Sequence, residues 1–240
     1  MGSGAELLVF GRCVGFVSRA PGFSHPSVPH AARAGLALVL AVGLTPVVRE
    51  MHAPDGMAFV LALAIEVGIG AAIGIAASVL YDGAYAGGRA LDDYVGIRAS
   101  VPAAQLYAPS GFGRIWSNVF LAGFFLLGGY RIVILMFARS FERVPPGGPI
   151  GTHALAQFAF ALPVAIVEAA LLVAGPAIAL AFVLQVTLGA LTRVIPRFAS
   201  FALSFPIVFL GALAATIVAL PLLYAQSGRP WLFLPFLGGP

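Results

Sequence analysis

Glu66 and Glu168 are two acids placed inside long apolar segments of a 240-residue chain that holds only nine acids. A carboxyl at membrane depth costs several kcal/mol unless it is paired or faces a cavity. Each is therefore a candidate ion site, for instance a proton carrier. The structural alternative is a protonated or hydrogen-bonded carboxyl that fixes helix packing. Three more acids, Asp82, Asp92 and Asp93, fall in the chain's one long polar interruption. Phosphatidyltransferases bind metal with D-x-x-D-G-x-x-A-R followed by two spaced acids, and Asp82-Gly83 superficially fits. Val79 stands where the first Asp belongs, however, and Gly87 stands where the Arg should follow Ala86. Asp92 and Asp93 are adjacent, so they cannot share one helical face. His25, His30, His52 and His153 lie in links or at segment ends, which denies a serine–histidine site between spans. The prolines between His25 and His30 argue against a metal site there. No Walker-type phosphate loop is present. Cys13, the single cysteine, supports neither a disulfide nor a thiolate cluster. No catalytic constellation emerges, and no metal or cofactor is expected.

The elements that would position these residues are hydrophobic. Apolar residues make up 60% of the chain and charged ones 9%, against about 25% charged in soluble domains. Such a chain cannot cover a water-facing surface, so it reads as an all-α, polytopic membrane protein. About six hydrophobic segments, with broken helices and hairpins, fit its length. All 13 basic residues are arginine, scattered one or two per link, which does not suggest nucleic acid. The start lacks the charged region and cleavage site of a signal peptide, so the first apolar run is expected to stay.

In order, the segments are a short run over residues 7–17 containing Arg12, then 34–48, 57–80, 115–137, 154–191 and 198–224. Pro21, Pro26 and Pro29 forbid a helix across the first link. Gly70 and Gly74 form a G-x-x-x-G, a face that lets helix backbones approach closely in lipid. Arg131 lies near a segment end, where it can snorkel to the interface. The 38 residues 154–191 exceed one normal span and read as a helical hairpin or a bent long helix interrupted by Pro163 and Pro176. Residues 193–197, with Pro196 between two arginines, form the next break. The tail 226–240 reads as interfacial. The central stretch 82–114 reads as a loop, or a helix tip followed by a loop, and loops this long are usually functional or disordered. On a six-span count, the arginine distribution puts it in the cytoplasm.

With the segments laid out, the chain resembles the export-gate subunit of type III secretion, the FliR/SctT family, over about residues 10–225. The first third carries Pro21 and the run from Arg33 to Pro46. The central signature is Glu66-Val-Gly-Ile-Gly followed by Gly88-Arg-Ala-Leu-Asp92-Asp-Tyr-Val-Gly96. Gly128-Gly129-Tyr-Arg and Ser140-Phe-Glu-Arg-Val-Pro145 match the next stretch, and Pro163, Arg193, Pro196 and Phe201 match the last. Asp92 looks more like the injectisome branch than the flagellar one. The family's usual Gln-x-Asn after the last proline and its central Asp-Pro are both missing.

The resemblance implies a non-enzymatic subunit in the bacterial inner membrane, within a hetero-oligomer of P/R-type and Q/S-type membrane subunits and a switch-type (FlhB/SctU-like) subunit. Its substrates would be unfolded secreted proteins. It implies a single membrane-embedded domain, with residues 1–150 similar to the P/R-type fold and 151–225 a hairpin similar to the Q/S-type fold. The central loop would plug the pore, with Gly96, Ile97, Arg98, Val101, Pro102, Gln105, Leu106, Tyr107 and Pro109 as the gate residues. A small proton-coupled secondary transporter, with Glu66 or Glu168 as the ion site, is the rival reading.

Overall fold

Helix is what an apolar chain must form where water cannot satisfy its backbone. The computed structural model describes residues 3–25, 27–48, 53–95, 111–148, 152–195, 206–215 and 217–218, and no strand occurs among them. The expected gate residues Gly96, Ile97, Arg98, Val101, Pro102, Gln105, Leu106, Tyr107 and Pro109 lie outside the described residues. So do Pro196, Phe201 and the tail 226–240. The helices are α1 (Ser3–Arg19), α2 (His30–Leu44), α3 (Met57–Val95), α4 (Gly111–Leu126), α5 (Gly129–Arg143), α6 (Thr152–Val194) and α7 (Pro206–Ala215).

Their limits follow from local chemistry. Pro21 and Gly22, whose φ is 82°, follow the end of α1, and Pro29 is the N-cap residue of α2. No proline occurs between Pro54 and Pro102, so nothing stops α3, which runs 39 residues. Glycine in a helix costs about 1 kcal/mol without blocking it. The stretch 82–95, half of the presumed central loop, is therefore helix tip, and only 96–110 separates α3 from α4. Gly128, with φ 76°, is the N-cap residue of α5 and lets the chain turn by 74° between α4 and α5.

The expected six spans are matched only in part. Among the described residues, two helices are long and apolar enough to cross a bilayer, Met57–Val95 and Ala159–Val194, or three if the bent α4–α5 pair counts as one. At 17 and 15 residues, α1 and α2 fall short of the ~20 that a bilayer needs. Residues 154–191 contain no hairpin turn, since α6 is one helix of 43 residues through Pro163 and Pro176. The chain folds back later. Gly211 of α7 lies against Leu184 of α6. Helices commonly end just before a proline, and Pro196 is the next one.

The chain divides into two compact units, residues 1–79, 123–163 and 231–240, and residues 80–122 and 164–230. The units interleave along the sequence. In the first unit, Val9, Cys13, Phe16 and Val17 of α1 pack with Ile73, Ala76 and Ala77 of α3. On α5, Val133, Phe137 and Phe141 are buried at helical spacing, and the Phe137 ring stacks on Phe16 at 4.2 Å. The G-x-x-x-G face does what its spacing predicts. A Cβ on Gly70 would collide with the Arg12 carbonyl, and one on Gly74 would meet the Phe16 carbonyl at 2.7 Å. Gly15 of α1 returns the contact against the Val67 carbonyl.

Gly70→Ala should therefore force α1 from α3 and cost about 1–3 kcal/mol, in the manner of overpacking. Gly68→Ala, where a Cβ meets nothing within 4 Å, should be neutral or mildly stabilising. Thermal unfolding of both variants in detergent checks this, and equal losses would refute the contact.

Candidate functional site

Two polar constellations are built from these helices, one in each unit. In the first unit, Arg12 of α1 and Glu66 of α3 form a buried ion pair, Nε to Oε2 at 2.5 Å. Both side chains are essentially inaccessible, at 0% and 2% exposure. The Arg12 Nη1 also donates to the Ser140 carbonyl at 3.2 Å, with the Ser140 hydroxyl 3.5 Å away. That hydroxyl donates to the Phe137 carbonyl at 2.6 Å, which leaves its oxygen as an acceptor facing the arginine. The Phe141 ring lies under the guanidinium, 4.4 Å from its carbon to the ring centroid, as cation–π attraction requires.

The second carboxylate oxygen of Glu66 is held from another side. Pro145-Pro146-Gly147-Gly148 forms a tight turn closed by a 2.9 Å hydrogen bond from the Gly148 N–H to the Pro145 carbonyl. Gly147, at φ 75°, is the residue that the turn needs in the left-handed region. Its N–H then donates to Glu66 Oε1 at 3.0 Å. Four elements meet at one salt bridge. A charge-assisted network of this kind holds the carboxylate in place more firmly than a lone hydrogen bond would. Of the two alternatives for Glu66, the packing role is the one its surroundings serve.

In the second unit, Asp92 near the end of α3 is fully buried, and its Oδ1 accepts from the Phe112 N–H of α4 at 2.9 Å. The first N–H groups of a helix lack intrahelical partners and prefer a negative charge, so Asp92 caps α4 from a distance in sequence. One turn earlier on α3, Gly88 sits directly against Gly113, whose Cα and N would collide with any Cβ there. Phe112 adds ring contacts to Trp116 at 5.7 Å and Phe209 at 5.1 Å. Asp92 and Gly88 together bring the ends of α3 and α4 into contact. They form a closed base on either side of residues 96–110. The neighbouring Asp93 is exposed, as the adjacency of the two acids demands.

A protein-family model described as bacterial export proteins, family 1, matches residues 4–231. The chain belongs to that family. It is 26% identical to the flagellar biosynthetic protein FliR of Escherichia coli K12 over 220 residues, covering 88% of this chain and 82% of the relative. Against FliR of Pectobacterium carotovorum the identity is 25% over 222 residues, covering 89% and 83%. Both relatives are flagellar by name. As an export family member with apolar helices of bilayer-spanning length, the chain is a membrane protein of bacterial protein export.

The remaining signature residues of this export protein have structural places of their own. Gly128 supplies the positive φ at the α4–α5 bend, and Gly129 packs against Phe124, where a Cβ would come within 3.0 Å of its ring. Pro163 lies inside α6 and is exposed, as is Arg193 in that helix's last turn, where a cation suits the helix dipole. Glu168 is also on α6 and exposed. Arg131 is exposed at the start of α5, with Nε 3.2 Å from the Tyr130 hydroxyl oxygen. Sequence reasoning missed Arg12, Ser140 and Gly147 as partners of Glu66. A signal existed for Arg12: a lone cation in one apolar run and a lone anion in another call for each other at membrane depth.

Removing one partner of the pair should cost more than removing both. Glu66→Ala leaves the guanidinium buried without its counter-charge and should cost about 3–5 kcal/mol. The double variant Arg12→Met with Glu66→Leu should recover most of that loss in the same unfolding assay. A double variant as unstable as the single one would show that shape, and not charge, matters there. Asp92→Ala should cost about 0.5–2 kcal/mol as a lost cap. Amide exchange should then quicken in the first turn of α4 while α1 stays unchanged.

Proposed function

We propose that this export protein is one subunit of a type III secretion export gate in the bacterial inner membrane. It joins P/R-type and Q/S-type membrane subunits, with a switch-type subunit alongside, in a hetero-oligomer through which unfolded proteins pass. It acts by closing and shaping a path and performs no catalysis. Residues 1–150 supply the P/R-like part and the α6–α7 fold-back supplies the hairpin of the Q/S-like part.

The observation that carries this reading is the closed base at Gly88, Asp92, Phe112 and Gly113. It anchors the two helix ends that bracket residues 96–110, in a chain that belongs to an export family. A connector needs no buried carboxylate cap and no glycine-on-glycine contact at its root; a segment that must be presented into a channel does. On this reading Gly96, Ile97, Arg98, Val101, Pro102, Gln105, Leu106, Tyr107 and Pro109 plug the channel. The contacts of Glu66 with Arg12 and Gly147 support this reading over the rival transporter, in which Glu66 would be an ion site.

Two measurements test the proposal. Co-expressed with P/R-type and Q/S-type subunits, the chain should co-purify with them in one detergent-resistant particle. A well-behaved monomer that ignores those partners counts against the gate. Deleting part of residues 101–110 should leave that particle intact, since the helix contacts lie outside the deletion. It should also make cells carrying the particle leaky to ions or small solutes. A deletion that assembles and stays as tight as the wild type removes the plug.

A further inference from the structure

Glu168 stands alone where Glu66 does not. It lies in the apolar stretch Ala159–Val194, and its side chain is exposed. None of the hydrogen bonds or ion pairs among the described residues involves it. The helix around it is two-faced. Ala169, Val173, Ala174 and Ala177 are buried, and α6 uses this side to pack on α3 in the second unit. There a Cβ on Gly83 would come within 2.5 Å of the Ala169 Cβ, and one on Gly87 within 2.6 Å of the Ala170 carbonyl. The other side is bulky and bare: Val164, Val167 and Leu171 are 56%, 57% and 64% exposed around Glu168. One turn further along, Gly175 has nothing within 4 Å of a Cβ position, which leaves a notch in this face.

Bulky aliphatics alone would suit lipid. A carboxylate among them does not, because hydrocarbon offers it neither water nor a donor. The same chain shows how it handles an acid in an apolar segment: Glu66 receives an arginine from a neighbouring helix. We propose that the face of α6 around Glu168 is the docking site for a transmembrane helix of another subunit, which brings an arginine or lysine to the depth of Glu168. Val164, Val167 and Leu171 form the apolar contact around the pair, and Gly175 lets the partner backbone come close. This rests on the assembly reading above and adds to it the face, the residue and the sign of the partner's charge.

The test uses the full chain co-expressed with its export-gate partners in membranes, with a photo-reactive amino acid at Val167 or Leu171. A protein adduct should form, and its crosslinked peptide should come from an apolar segment bearing an arginine or lysine. Glu168→Leu, which a lipid-facing helix tolerates, should cut the adduct by about tenfold, and Glu168→Arg should abolish it. Changing the partner's cation to Glu should restore the adduct with Glu168→Arg. Adducts to lipid only, adducts indifferent to residue 168, or a partner peptide without a cation would overturn the proposal. Co-purification of the particle separates the two readings. An intact particle without a charge-dependent adduct refutes this face alone. A charge-dependent adduct to a protein outside the export gate keeps the face and refutes the gate.

Discussion

The Arg12–Glu66 salt bridge is the interaction on which the first unit depends. Taking two charges out of water costs several kcal/mol per ion, and their attraction returns that only when the remaining lone pairs and donors are satisfied. Here Ser140, Phe141 and Gly147 supply additional contacts, and the buried Arg12 Nη2 is left without a hydrogen-bond partner among the described residues. The net contribution to stability can be small while the penalty for breaking it is large, so its effect is on specificity. A helix slipped by one residue along α1 or α3 would strand a charge in an apolar interior. Close packing of Gly15, Gly70 and Gly74 against opposing backbone then has only one register to adopt.

Small residues do in this fold what a large hydrophobic core does in a soluble one. Between helices in lipid the hydrophobic effect offers little, and dispersion across closely approaching backbones must hold them. The first unit uses Gly15, Gly70 and Gly74, and the second uses Gly83 and Gly87 against the alanines of α6. Bulky side chains are mostly turned outward: Leu126, Phe160 and Val218 are 85%, 78% and 75% exposed. At 1.5 Å per residue, α3 and α6 extend roughly 58 and 65 Å, about twice the thickness of a hydrocarbon core. The charged second half of α3 thus has length to spare beyond the greasy half that begins at Met57. Asp92 and Gly88 sit in that charged half, where they tie α3 to the start of α4.

Class, family and helix content were legible in the residues. A chain this apolar and this poor in charge has one physical solution for its backbone, and the prolines at 21, 29 and 46 punctuate it locally. The G-x-x-x-G at Gly70 also announced its packing, because small residues at helical spacing have little other use in lipid. The signature glycines at 88 and 128 resembled the family before their reasons were visible. Those reasons are a backbone contact with Gly113 and a positive φ.

What the sequence determined alone is therefore which parts are helical, which are apolar, and which stretches resemble an export subunit. What only the tertiary structure decided is which polar groups meet. Arg12, Glu66, Ser140 and Gly147 are far apart along the chain, and no local rule pairs them; the fold brings them to one point. The two intramembrane acids looked alike by composition, yet one is locked in a network and the other faces outward from α6. For 82–95 and for 154–191 the residues left two readings open, a break or a continuing helix, and the fold decided for the helix in both. Glycines and charges read locally as breaks, but a helix persists through them when its glycines become contacts and its charges find helix ends or partners elsewhere in the fold.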